Sequence, residues 1–448
     1  MSMIIILINS IICFCFANFL MLTSNLPSVF GFTVTIVSGV AFVLIQVFPN
    51  FSNNKKYKKR LLTLSNGNSL LLVFLLSTVF SITYFLYLLS VISFSDDKKS
   101  VVFFIIYVVI VIFIQSVTFW NGIIHVYLSG NQLGIKHRVL GIVFGMVPIA
   151  NLICLGIILV RSIKEVNFEY EKEKLNEERK DDKICKTKYP ILMVHGVFFR
   201  DFRYFNYWGR IPDELIKNGA DIYYGEHESA LNVEDSAAML AKRIFEIVRL
   251  TGAEKVNVIA HSKGGLDMRA ALHIPGVKEH VASLTTVNTP HRGCEFADYL
   301  LNVIPEKQKL LVANAYNKML YKLGDNNPDF IKAVTDLTHE ACTVFNEKYP
   351  DVDGVYIRSI GSVMKKAKRG RFPLNFSYRL VKYFDGENDG LVGINSFPWG
   401  SEFDLIKSDK KRGISHGDMI DLNRENFDGF DVREYFVNTV SKLRELGY

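Results

Sequence analysis

The run EKVNVIAHSKGGLDMRAAL, residues 254–272, decides how the second part of this chain folds. Lys255 to Ala260 has the apolar character of a buried strand, Gly264 and Gly265 mark a turn, and Leu266 to Leu272 continues as a helix. Ser262 therefore stands at a strand–turn–helix junction. Its setting, Ala260-His261-Ser262-Lys263-Gly264, puts small residues two before and two after the serine. Neighbouring backbone passes close at those two positions, and only Gly or Ala fits. A serine exposed at the top of a sheet, at the start of a helix, is a nucleophile elbow. The first N–H groups of the helix favour the negative charge that develops on an attacked carbonyl oxygen. The plainer reading is a surface serine capping a helix; the strand before it and the paired glycines after it favour the elbow.

Outward from this point the chain alternates strands and helices. Tyr189 to Val194 reads as a buried strand, followed by His195 and Gly196. Residues 207–219 can form a helix and Ala220 to Gly225 a strand. Asn232 caps the next helix with Asp235 in the reciprocal position, the helix shows Ala237, Leu240, Ala241, Ile244, Phe245 and Val248 on one face, and Gly252 ends it. Val281 to Val287 is another strand, with Thr289 to Gly293 as its exit loop, and the chain returns to the sheet near 354–363. The alternation predicts a mostly parallel sheet flanked by helices. Residues 296–349 break it with two or more amphipathic helices, read as a cap or lid, or as a peripheral helical layer.

Such a sheet takes its serine, acid and base in that chain order. Ser262, Asp389 and His416 obey it. The histidine must accept the serine proton, and the carboxylate must hold the histidine in the right tautomer. Asp385 and Glu387 compete for the acid role, but Gly390 allows a sharp turn after Asp389 and Leu391-Val392 can pack beneath it. His291 competes as base, but it follows too soon after the nucleophile and suits the pocket edge.

The first third is different in kind. The net charge of +7 over 448 residues hides a division: residues 1–160 are mostly Ile, Val, Leu and Phe, and 161–448 have mixed composition. Apolar stretches at about 3–22, 29–49, 70–94, 101–128 and 139–160 carry no charge in their interiors. Each is long enough to cross a hydrocarbon core of about 30 Å. Five exceed what a signal peptide explains, so the expectation is a multi-pass transmembrane bundle whose partner is the membrane. It carries no buried charge for an ion pathway and reads as an anchor or lipid-facing platform. Lys55, Lys56, Lys58, Lys59 and Arg60 cluster in one connection, and Lys136, His137 and Arg138 in another. Positive loops prefer the cytoplasm, and with all five stretches crossing, everything after 160 lies outside. A re-entrant segment reverses that side, and Arg161 and Lys164 weigh against it. Residues 161–188, rich in Glu and Lys, read as an exposed stalk. No basic surface interleaved with aromatics is evident, so nucleic acid is set aside as a partner. Six cysteines form neither a zinc site nor a disulfide framework, and one disulfide among Cys185, Cys294 and Cys342 stays open.

Residues 189–448 resemble the bacterial true lipases, the secreted triacylglycerol lipases of the Pseudomonas and Burkholderia type. The resemblance rests on VHG at 194–196, VNVIAHSKGG at 256–265, TPHRGCEFAD at 289–298, NDGLVG at 388–393 and His416-Gly417-Asp418. It implies an α/β-hydrolase fold, an acyl-ester or lipid substrate, Ser262, Asp389 and His416 as the triad, and the backbone N–H groups of Val197 and Lys263 as the oxyanion hole. It implies no cofactor for the chemistry. It does imply a structural calcium with Asp418 as a ligand, although the second aspartate has no counterpart in the basic run 365–371. Ala260 replaces the usual glycine, Cys294 replaces a serine, and the anchor has no match. The resemblance places the anchor in a bacterial cell membrane, and the substrate becomes triacylglycerol, phospholipid or another acyl lipid. A thioesterase, amidase or small-ester esterase of the same fold, and a non-catalytic scaffold, are the alternatives.

Overall fold

The computed structural model describes residues 3–24, 26–50, 58–91, 98–197, 206–228, 230–322, 325, 328–367, 374–410 and 412–448. They fall into two units, Met1–Leu175 and Asn176–Tyr448. The first is helical: α1 (Met3–Ala17), α2 (Phe19–Thr23), α3 (Ser28–Val47), α4 (Lys59–Val91), α5 (Lys98–Ser129), α6 (Gly134–Val143) and α7 (Ala150–Glu178), the last running on into the second unit. Three of these, α3, α4 and α5, are long and apolar enough to cross a membrane, and Met3–Ala17 is a shorter apolar helix. Phe32, Phe113 and Leu128 point outward, while Asn18, Ser81, Gln115 and Tyr107 are buried. Asn18 donates to Ser81 at 2.9 Å, Tyr107 donates to Asn18 at 2.7 Å, and Ser77 donates to Gln115 at 2.9 Å. Apolar groups outside and a satisfied polar network inside suit a helix bundle surrounded by hydrocarbon.

The fifth apolar stretch does not form the single spanning helix expected of it. Gly145 and Pro148 lie in a turn over 144–149 that separates α6 from α7. The ten residues of α6 amount to about 15 Å, roughly half the hydrocarbon thickness. Cys154 on α7 reaches back to the Leu140 carbonyl on α6. Farther along α7, Glu165 accepts from Arg60 at 2.6 Å and from the amides of Asn131 and Gln132 at 3.1 and 2.8 Å. Arg60 also donates to the Ser129 carbonyl at 2.6 Å. The start of α4, the end of α5 and Glu165 therefore meet at one end of the bundle, and α6–α7 is a hairpin that leaves and returns. Within the stretch read as a stalk, 161–178 continues α7, and Cys185 is packed in the core of the second unit with Ile191, Leu215 and Phe436.

The second unit is built on six parallel strands in the order β2-β1-β3-β4-β5-β6: β1 (Ile191–Val194), β2 (Ile222–Tyr224), β3 (Val256–His261), β4 (Val281–Val287), β5 (Tyr356–Ser362) and β6 (Glu402–Ile406). Strand side chains alternate between faces, so Leu192 and Val194 join one core and Ile191 and Met193 the other. The first face is covered by α9 (Val233–Thr251), α10 (Lys263–Ala271) and α14 (His339–Lys348); the second by α8 (Ile211–Lys217) and α16 (Val432–Glu445). In α9, Asn232 accepts from the Asp235 amide at 2.8 Å and Gly252 closes the helix at φ 69°. Its buried face uses Ile247 in place of the expected Phe245, which is exposed. Between β4 and β5 lie α11 (Glu295–Val303), α12 (Glu306–Lys322), α13 (Phe330–Thr335) and α14; α15 (Leu374–Asp385) follows β5. Tyr299, Val303, Leu310, Leu311, Phe376 and Tyr383 are exposed apolar residues of α11, α12 and α15.

Candidate active site

Ser262 joins β3 to α10 at φ 55° and ψ −131°. A side chain held there costs about 1–3 kcal/mol and persists only where its surroundings over-determine it, as they do here. A Cβ on Gly196 would come within 2.8 Å of the Ser262 Cβ, one on Gly264 would strike the His195 carbonyl oxygen, and one on Gly265 would strike the Thr289 hydroxyl. The end of β1 thus lies directly against the serine, and Val197 follows it. Lys263 is the first residue of α10, where the helix leaves amides without internal acceptors.

Asp389 and His416 meet. The His416 Nδ1 lies 2.6 Å from the Asp389 Oδ2, and the His416 amide donates to the Asp389 carbonyl at 2.9 Å. Asp389 is fully buried, and its other oxygen accepts the amides of Leu391 and Val392 at 2.9 and 2.8 Å. These bonds fix the carboxylate so that it can hold the imidazole with Nε2 free to act as base. The His416 ring also packs on His261, with centroids 4.5 Å apart. Burial, then repulsion from a protonated His416, pushes the His261 pKa well below its usual value and keeps this ring neutral beside His416.

The competitors occupy other posts. Asp385 accepts the amides of Glu295 and Phe296 at 3.0 and 3.1 Å and so caps α11. Glu387 is exposed. His291 is fully buried, bonded to Thr286 at 2.9 Å, and its pKa is lowered first by burial and then by Arg269 and Arg292. One residue, Asn288, and one side-chain contact, that of Lys263, carry no signal in the sequence for the partners they meet. Asn288, at φ 47° after β4, donates to Asp389 at 2.5 Å and to Ser362 at 2.7 Å. An Asn closing a strand is a signal for a left-handed residue, but nothing in the sequence says which carboxylate it meets. The side chain of Lys263 is buried, with its ammonium 2.5 Å from Asp267 and 3.2 Å from Ser236. Burial pushes Asp267 up to about 7 even though Lys263 pulls it down.

Asp418 does not present an open carboxylate. Arg412 donates to its Oδ1 at 2.7 Å, and the amide and hydroxyl of Ser415 donate to Oδ2 at 2.9 and 2.8 Å. Both oxygens of Asp418 are thus already engaged by protein donors, and among the described residues no three His, Cys, Asp or Glu side chains gather around it. All six cysteines are free thiols, which closes the disulfide left open above.

A six-stranded parallel sheet with a strained serine between β3 and α10, and a carboxylate-held histidine after β6, defines the second unit as an α/β-hydrolase domain. No family model matches the chain. It is 32% identical over 260 residues to the triacylglycerol lipase of Vibrio cholerae serotype O1, which covers 52% of this chain and 80% of that one. The chain belongs to the triacylglycerol lipase family. A triacylglycerol lipase of Pseudarthrobacter phenanthrenivorans is 30% identical over 182 residues, 38% of this chain, and the chain spans about half of that relative's length, 56%. The crystal structure of the mature Bacillus licheniformis lipase BlEst2 aligns at a TM-score of 0.41 and 25% identity, covering 53% of this chain and 88% of that one.

Proposed function

We propose that this protein hydrolyses acyl esters of membrane lipids at Ser262, on the cytoplasmic face of the membrane that holds its first unit. The observation that carries the chemistry is the strained serine combined with the buried Asp389–His416 pair. His416 takes the Ser262 proton as the hydroxyl oxygen attacks the ester carbonyl. The tetrahedral oxyanion is met by the amides of Val197 and Lys263, on segments that lie against the serine. His416 then gives its proton to the leaving alcohol, an acyl-enzyme remains, and water activated by the same imidazole releases the acid. Asp389 orients His416 and stabilises its charged form throughout. The exposed apolar residues of α11, α12 and α15 suit a lid and rim that meet lipid.

Parity supports the cytoplasmic side. The α1–α2 pair, α3, α4 and α5 cross, and the α6–α7 hairpin returns to the end of the bundle where Arg60 and Ser129 lie. The chain beyond Glu165 then leaves on the same side as the cluster from Lys55 to Arg60, which the charge rule assigns to the cytoplasm. This reverses the outside placement that five crossings would give and accords with free thiols at Cys185, Cys294 and Cys342.

A fluorophosphonate probe tests the chemistry: it labels wild type and leaves S262A unlabelled, and wild type in detergent hydrolyses long-chain acyl esters. Equal labelling of both proteins overturns the assignment of Ser262. Protease added to intact cells tests the side. The Ser262 domain stays protected until the membrane is opened; its release from intact cells, alongside digestion of an external control, overturns the cytoplasmic placement.

A further inference from the structure

Arg412 and Asp418 flank His416 in sequence, and their side chains meet across it. The Arg412 guanidinium donates to Asp418 at 2.7 Å and to Glu425 at 3.2 Å, and its central carbon lies 4.2 Å from the centre of the Phe427 ring. The Asp418 carboxylate is nearly buried, 5% exposed, so its charge needs a partner. Relatives that fasten the histidine loop with a metal ion must gather several oxygen ligands around it. Here one planar cation already bridges two carboxylates and rests on an aromatic face, three contacts that a guanidinium makes well and an ammonium does not. A divalent ion placed on Asp418 would face the Arg412 charge directly.

We infer that Arg412 replaces the structural metal: its guanidinium is the internal clasp of the His416 loop, and the enzyme is independent of calcium. Arg412 touches neither substrate nor the reacting atoms and is a positioning residue. The inference rests on the reading of His416 as the base. The clasp closes a short loop whose midpoint is the base, so its loss displaces Nε2 from Ser262. A displacement of about 1 Å costs on the order of 100-fold in rate.

The test uses the full chain in detergent. Wild type should melt at the same temperature in excess EDTA and in millimolar calcium, with unchanged turnover of a soluble nitrophenyl ester. R412Q should lower kcat by about 10- to 100-fold with KM little changed, and R412K, which keeps the charge but not the fork, should recover only part of the loss. A wild-type melting temperature that falls in EDTA and returns with calcium overturns the inference, as does an R412Q protein with wild-type kcat and melting temperature. Should R412Q not fold, the wild-type chelation result and R412K decide the matter. Melting is read without turnover, so the clasp stands or falls by it even if the Ser262 reading fails.

Discussion

Replacing Asp389 by Asn changes two atoms, and the surroundings dictate how the new amide must sit. Oδ1 accepts two backbone amides, from Leu391 and Val392, at 2.9 and 2.8 Å. Those two backbone donors cannot change role, so the amide oxygen takes that position and the NH2 takes the other, where His416 can change tautomer and Asn288 must turn its amide oxygen inward. His416 Nδ1 must then accept a hydrogen bond, which moves the ring proton to Nε2 and removes the base that Ser262 needs. The same tautomer change in serine proteases costs about 10⁴-fold in kcat, or about 5.5 kcal/mol of barrier at 1.36 kcal/mol per tenfold. The assay is kcat/KM on a soluble nitrophenyl ester, with the fluorophosphonate labelling rate as a second readout of the nucleophile. D385N is the control: it keeps an acceptor for the start of α11, where Asn caps about as well as Asp, and leaves turnover within a few-fold. A D389N enzyme within about tenfold of wild type, or D385N as the severely impaired protein, would refute the assignment of the acid.

Two further outcomes are expected. N288A removes a charge-assisted donor from Asp389 and should reduce kcat by the equivalent of about 1.5–3 kcal/mol, measured with the same ester; unchanged kcat would mean that Asp389 is held without it. His291 has a folded pKa below its ordinary 6.5, so the stability it supports is complete above that pH and is lost as pH falls through it. The stability of wild type relative to H291Q, from denaturant unfolding in detergent, should therefore drop by up to about 1.4 kcal/mol per pH unit below 6.5. Asp267, raised to about 7, runs in the opposite sense but cancels in the comparison; a pH-independent difference would show that burial does not lower the His291 pKa.

The elbow could be read in the sequence because its constraints are local: Gly264 and Gly265 have no room for a Cβ, and that requirement is written in residue types. Asp389 and His416, which meet in the structure, were singled out by their order along the chain. What escaped depends on partners distant in sequence. The Asn288–Asp389 bond joins loops after β4 and after β5 that no local pattern links. β6 was missed because Glu402 and Asp404 interrupt its apolar character; both are held by cross-strand partners, including Tyr356 at 2.5 Å and Arg358. The fifth apolar stretch passed as a span because composition counts residues and ignores direction; Gly145 and Pro148 were visible, but the Glu165 anchor that makes the return unavoidable was not. The hydrogen bond from Arg412 to Asp418 is likewise a pairing that a match at Asp418 alone conceals.

The three thiols of the second unit give the molecule a set of internal clocks. Burial pushes the Cys185 and Cys342 thiols up to about 12 and the Cys294 thiol well above its ordinary value, so none reacts while the fold is closed. Cys294 sits at the root of α11, Cys342 on α14 and Cys185 beneath α16. A maleimide therefore modifies each only at the rate its own surroundings open. If the helical insertion swings as a lid, Cys294 will be consumed first and Cys185 last, and the interval between them will measure how far that motion is uncoupled from the loosening of the sheet.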